Sequence, residues 1–171
     1  MPQIKIREWN EKPRTKLRFI KIGDIFCYQF SEEMFVFGQI LGKVNVGHVI
    51  QFFDIFQASP TITVEELSRA QFIGKPIIID SYTLFDRSPV WSWQIIGHQV
   101  DFDPSPFKDL AFKWGDPNGL HFGKVWLDGR REPKIFSREE VEDLDWEACV
   151  GSIVYNRILE EELASRENKG V

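Results

Sequence analysis

The sequence predicts an α+β fold: a bent, mainly antiparallel β-sheet or half-open barrel of six to eight strands, with a short helix and a C-terminal helix packed on it. Three observations carry this. Residues Ile22–Gly42 hold two runs rich in aromatic and branched side chains, joined by a short polar turn, which is the pattern of an antiparallel hairpin. Further runs of that kind follow at short intervals, separated by Gly, Pro, Asn and Asp. Towards the C-terminus the apolar period changes from two to near 3.6. With 171 residues, the chain is read as one domain, 1–171, long enough to bury a core.

Taken in order, Gln3–Arg7 is predicted to be a short strand or extended arm, and Glu11–Lys16, with Pro13, a loop. Strands Asp24–Phe30 and Met34–Leu41 follow, joined by Ser31-Glu32-Glu33. Phe26, Tyr28 and Phe30 share one face of the first, and Ile25 and Cys27 share the other. Neither face is polar, so the hairpin is expected to be covered on both sides. Gly38 inside a strand marks a bend or a close backbone approach. Lys43–Gly47 reads as a turn and His48–Phe56 as a third strand, with Asp54 more plausible as a hydrogen-bonded strand carboxylate than as a functional one. Thr63 and Glu66 form a capping box that opens a helix Val64–Gln71. Lys75–Leu84 and Val90–His98 read as strands. Trp91 and Trp93 at period two can stack bases, but core or sheet cover is the better reading.

Residues 99–119 change character. They hold Asp101, Asp103, Asp109 and Asp116 with three prolines, and read as a long acidic loop pinned to the body by Phe102, Phe107, Phe112 and Trp114. The loop is either a partner contact or an irregular edge cover. Leu120–Leu127, the Asp128-Gly129 turn and Arg130–Phe136 read as a second hairpin, its return strand at an edge because of Pro133. Ser137 and Glu140 form a second capping box, opening a helical segment over 137–167 with a break near Asp145. Its stripe runs through Ala148, Val150, Ile153, Val154, Ile158 and Leu163. Glu139 and Glu142 belong to the acidic cluster at its start, where the macrodipole already favours carboxylates.

Composition narrows the function. Apolar residues make up 43% and charged residues 27%, as in a globular chain. The net charge of −5 is uneven: residues 1–21 hold seven cations against two carboxylates, leaving +5 there and −10 on the other 150 residues. An acidic body disfavours nonspecific nucleic-acid binding and favours a basic partner. The basic arm reads as a solvated face, since no Gly-rich phosphate loop accompanies it. Cys27 and Cys149 lie far apart with no metal-binding spacing, and fit a reducing cytoplasm, although one disulfide between them is left open. The polar N-terminus carries no secretory h-region and no run reaches membrane length, so a cytoplasmic protein is expected. No P-loop, dinucleotide fingerprint or nucleophile elbow is present. Cys27 with His48, His98 or His121 could form a catalytic pair, but a mid-strand thiol is more often core. His98 with Asp101 and Asp103 matches no closed zinc site.

Lys21-Ile22-Gly23-Asp24-Ile25-Phe26 and Phe35-Val36-Phe37-Gly38-Gln39-Ile40-Leu41 resemble the start of the bacterial immunity protein 26 family, and the resemblance extends to Trp93-Gln94-Ile95-Ile96-Gly97-His98. It implies a partner-binding protein of a polymorphic toxin system, with no enzyme activity, catalytic residue, metal or cofactor of its own. Gly23, Asp24 and Gly38 map to structural framework positions. Under this resemblance the partner is a cognate toxin with a basic surface, neither nucleic acid nor membrane. The candidate contacts are Asp101, Asp103, Asp109, Asp116, Trp114, Glu139 and Glu142. The rivals are a nucleic-acid-binding small barrel and a small metal-dependent hydrolase on the same scaffold.

Overall fold

The computed structural model describes residues 3–169; the first two positions of the expected basic arm and the last two of the chain lie outside the described residues. Eight strands form: β1 Ile4–Ile6, β2 Asp24–Ser31, β3 Met34–Val44, β4 Gly47–Gln57, β5 Phe72–Ile79, β6 Trp93–Gln99, β7 Ala111–Gly115 and β8 Phe122–Trp126. Helix α1 covers Val64–Arg69 and helix α2 Ser152–Lys169. Six strands make one antiparallel sheet in the order β1-β6-β2-β3-β4-β5, and β7 and β8 make a separate antiparallel pair. The edges β1 and β5 do not pair, so of the two expected forms, sheet or half-open barrel, the sheet is the one built.

The bend has an identifiable cause. Register shifts interrupt the ladders at Ile25/Phe26, at Val36/Gly38, at Ile40/Gly42 and at Ile50/Phe52. Each leaves more residues unpaired on one strand than on its partner, one residue at Ile25/Phe26 and Ile40/Gly42 and one against three at Val36/Gly38 and Ile50/Phe52, and raises the local twist. Gly38 sits within one of them. A side chain there would collide with the Phe26 ring and approach the Gln51 carbonyl to 2.6 Å, so the close approach expected of this glycine is real.

Both sheet faces are covered, as the hairpin's apolar alternation predicts. On one, Trp93 is 1% exposed and stacks on Tyr28 with ring centroids 4.4 Å apart and on Phe26 at 5.2 Å. Phe85, from a π-helical turn Tyr82–Arg87, and Tyr155 and Leu159 of α2 close this cluster. On the other face Ile25, Cys27, Phe37 and Phe53 pack under α1, whose Thr63–Glu66 capping box forms in both directions. Beside them Leu41, Val49 and Ile78 pack under Phe112 and Val125 of the small sheet and Leu127 just after it.

Several elements depart from the sequence pattern. Residues 99–119 are not all loop: Phe112 and Trp114 belong to β7, which pairs with β8 from Ala111↔Trp126 to Gly115↔Phe122. The expected return strand Arg130–Phe136 is reduced to isolated bridges, Val125↔Arg131 and Phe122↔Phe136. These lie three residues apart on β8 and five apart on the return segment, which bulges around Pro133. The C-terminal helix begins at Ser152, not near 138. Ser137 N–H does donate to Glu140 at 2.8 Å, but it closes only a 3₁₀ turn, Glu139–Val141. Residues 145–147 run beside β7 instead, with Lys113 N–H donating to Asp145 O and Glu147 N–H to Lys113 O. The buried stripe of α2 is Tyr155 and Leu159, with Ile158 partly buried. Ile153, placed in the expected stripe, is 83% exposed. The strand Lys75–Leu84 is shifted too, since β5 begins at Phe72 and ends at Ile79.

Candidate functional site

The family-like residues meet at one end of the large sheet. Gly23 adopts φ +87°, where an added Cβ would approach the Gln99 carbonyl and the Phe102 Cβ to 2.9 Å, so only glycine fits comfortably. Its N–H donates to Ile40 O at 2.8 Å and its carbonyl accepts from Gln99 N–H at 2.9 Å. Asp24 is buried. Its Oδ2 accepts from Lys21 N–H at 2.8 Å, and its Oδ1 lies 2.9 Å from His98 Nδ1. Burial pushes the Asp24 carboxyl above the usual carboxylate range, outweighing the opposite pull of the Lys21 hydrogen bond and of His98. Gln39, also buried, donates to Gln99 Oε1 at 3.0 Å. β2, β3 and β6 are thereby tied together where the acidic segment leaves the sheet.

That segment, residues 100–110, lies across the sheet face as a ridge. Phe102 and Phe107 hold it down, their rings 6.5 Å apart, with Phe107 edge-on to Phe72 at 5.8 Å. Asp101 Oδ1 accepts from Gln3 N–H at 2.8 Å, anchoring the edge strand β1. Asp103 accepts from Ser105 N–H at 2.9 Å and Ser105 Oγ–H at 2.6 Å, opening a 3₁₀ turn Ser105–Phe107. The Ser105 hydroxyl and amide hold its carboxyl below the usual range. On one side of the ridge is a groove of about 470 Å³, floored by Ile25, Phe53, Leu67 and Phe72 and edged by Asp101 and Asp103. On the other is a cleft of about 260 Å³ over Ile22, Leu41 and Leu127, with Asp103, Lys108, Asp128 and Arg130 at its mouth. The ridge thus presents carboxylates next to apolar recesses, a combination that can seat a basic, partly apolar protein segment.

The family model for Immunity protein 26 matches residues 21–121, more than half of the chain. The chain belongs to the immunity protein 26 family. A search of curated proteins finds no match, and neither does a search of solved structures. The matched region begins at the Lys21-Ile22-Gly23-Asp24 turn and ends just before β8. It therefore contains the framework positions and the whole acidic ridge. The return segment after β8 and helix α2 lie beyond it.

The seven candidate contacts divide into two groups in this member of the family. Asp101, Asp103 and Asp109 are exposed on the ridge. Trp114, the fourth residue of β7, and Asp116, just after it, lie at the end of the strand away from the ridge, on the order of 10–15 Å from it at about 3.4 Å per residue. Trp114 is 40% exposed, lies over the glycine Gly123, and carries the Arg131 guanidinium 4.9 Å from its ring centroid. Asp116 caps the β7–β8 turn by accepting from Asn118 N–H at 2.9 Å. Glu139 and Glu142 are exposed on the nearby 3₁₀ turn and just after it, where Arg138 donates to the Pro117 and Gly119 carbonyls.

His98 turns to Asp24, while Asp101 and Asp103 are held by Gln3 and Ser105. Among the described residues no group of three His, Cys, Asp or Glu side chains is placed to hold a metal ion. Cys27 is buried mid-strand with its thiol pushed up by burial, and Cys149 is exposed; both are free, so the disulfide left open is not formed. Trp93 is in the core, while Trp91 sits outside β6 at φ +52°, so the two do not share a strand face. Sequence reasoning missed the groove floor. Its signal was the excess of Phe at sequence-distant positions, which strand alternation assigns to a face but not to a recess.

Proposed function

We propose that the chain binds and neutralises a cognate bacterial toxin by covering the toxin's active surface, with the ridge at 100–110 as the contact. The observation that carries this reading is the acid-edged ridge with its apolar-floored groove, rooted at the framework turn Gly23-Asp24, where Asp24 pairs with His98. Basic residues of the toxin pair with Asp101, Asp103 and Asp109, while the recesses beside them take apolar anchors. A nuclease is the toxin class this charge suits best, because a phosphate-holding site must be cationic. The action is occlusion and involves no catalytic group, metal or cofactor of this chain. It takes place in the cytoplasm.

The test uses the purified C-terminal domain encoded by the gene immediately upstream. Replacing Asp101, Asp103 and Asp109 by Lys should slow its association by about tenfold or more at low salt, with less effect as salt rises. Unchanged association would remove the ridge from the interface. The nucleic-acid rival is tested by titrating a labelled oligonucleotide against the wild-type chain. The basic arm is the surface to watch: among the described residues only Arg14 of its seven cations enters an ion pair, with Asp86 at 2.7 Å. Tight, salt-sensitive binding would overturn the proposal.

A further inference from the structure

We propose that the groove between the ridge and α1 receives an arginine side chain of the toxin. This rests on the reading of the chain as a toxin-binding immunity protein and names the chemistry of its contact. The groove's charged lining residues are Asp101 and Asp103; the rest of its wall is apolar apart from the Gln39 and Gln99 amides. An anionic occupant would meet two carboxylates. A wholly apolar one would strip water from them without replacing its hydrogen bonds.

An arginine answers both parts of the wall. Its methylene stem can lie against Phe53 and Phe72, whose rings stack at 4.9 Å, and against Phe107, edge-on to Phe72. Its weakly hydrated, planar head suits aromatic rings and carboxylates together, better than the compact ammonium of lysine. The carboxylates are already aimed. Asp101 spends Oδ1 on Gln3 N–H, and Asp103 is fixed by Ser105 through both oxygens, each of which keeps a second lone pair. Beneath them the Gln39–Gln99 amide pair, joined at 3.0 Å, leaves the Gln39 carbonyl as a further acceptor. The framework turn at Gly23 sets the position of this pair, since Gln99 N–H donates to its carbonyl.

The test uses methyl-labelled full-length protein and N-acetyl-arginine methylamide as the probe, read at the Ile4, Ile25 and Leu67 methyls. Saturable shifts are expected with arginine, and weaker ones with the norleucine and glutamate analogues. The double variant Asp101→Asn/Asp103→Asn keeps an acceptor for Gln3 N–H and one for Ser105 N–H, and the amide introduced at position 103 can donate to Ser105 Oγ in place of the second bond; an unchanged amide spectrum checks that its fold is retained. It should bind the arginine probe about fivefold more weakly for each charge lost. Equal response to norleucine, no response to arginine, or an unaffected double variant would overturn the inference. The probe is not the toxin, so failure here leaves the immunity reading standing. A wild-type chain that binds no toxin would overturn that reading and this inference with it.

Discussion

His48 shows how a single side chain in this fold is governed by burial. It is 1% exposed, and its Nδ1 lies 2.8 Å from Ser81 Oγ, which also accepts from the His48 backbone N–H. Burial, and secondarily the charge of Lys43, pushes the imidazole down to about 4. The unfolded chain, titrating near 6.5, therefore binds a proton before the native state does. Stability from this group is whole above about pH 6.5 and is lost as pH falls towards 4, by roughly 3 kcal/mol at about 1.4 kcal/mol per unit. Urea titrations at pH 7 and pH 4.5 should show this loss, and the difference between wild type and His48→Asn should shrink by that order on acidification. A difference independent of pH would mean that His48 is solvated or charged in the native state. In the sequence His48 reads as the first residue of a strand and as one possible partner for Cys27; Ser81, its actual partner, lies 33 residues away and has no local signature.

Among the elements, the small sheet depends most on tertiary partners. Its local core is three buried residues, Phe122, Phe136 and Val141, and cations cover the rings: Lys124 lies 4.2 Å and Lys134 4.8 Å from the Phe136 centroid. The return segment is pinned by Arg131, which donates to both oxygens of Glu147 at 3.0 and 2.7 Å. The Glu147 side chain is only 4% exposed. Arg131→Ala would leave that carboxylate buried without its partner and should cost about 3 kcal/mol in urea unfolding. Arg157→Ala, which removes an exposed pair with Glu161, should stay within about 0.5 kcal/mol. Equal effects would show that the Arg131 pair is solvent-screened. These ties also explain what the sequence made legible. Strands β2, β3 and β4 advertise themselves by alternation on two buried faces, and α1 by a reciprocal cap. β7 hides in a run of Asp and Pro, although its Phe112-Lys113-Trp114 alternation is a strand signal. Residues 138–151 carry a helical cap and acidic first turn, yet pairing with β7 and the pull of Arg131 on Glu147 draw them into irregular structure.

Across the whole molecule, charge and apolar recess meet on the ridge, inside the region shared with the immunity protein 26 family. The ridge's acidity was legible from composition alone. Its recesses were not, because they arise where α1, β2, β4 and β5 come together under Phe102 and Phe107. No helix among the described residues is long and apolar enough to cross a membrane. The central claim is that this chain neutralises a toxin by binding it, and co-expression tests it most directly. The C-terminal domain of the neighbouring upstream gene is produced in a test cell with and without this chain, growth is measured, and the complex is purified. The account predicts restored growth with the two chains co-purifying, and loss of both when Asp101, Asp103 and Asp109 are replaced by Lys. Growth that stays arrested while both chains are produced, or rescue without a complex, would contradict it.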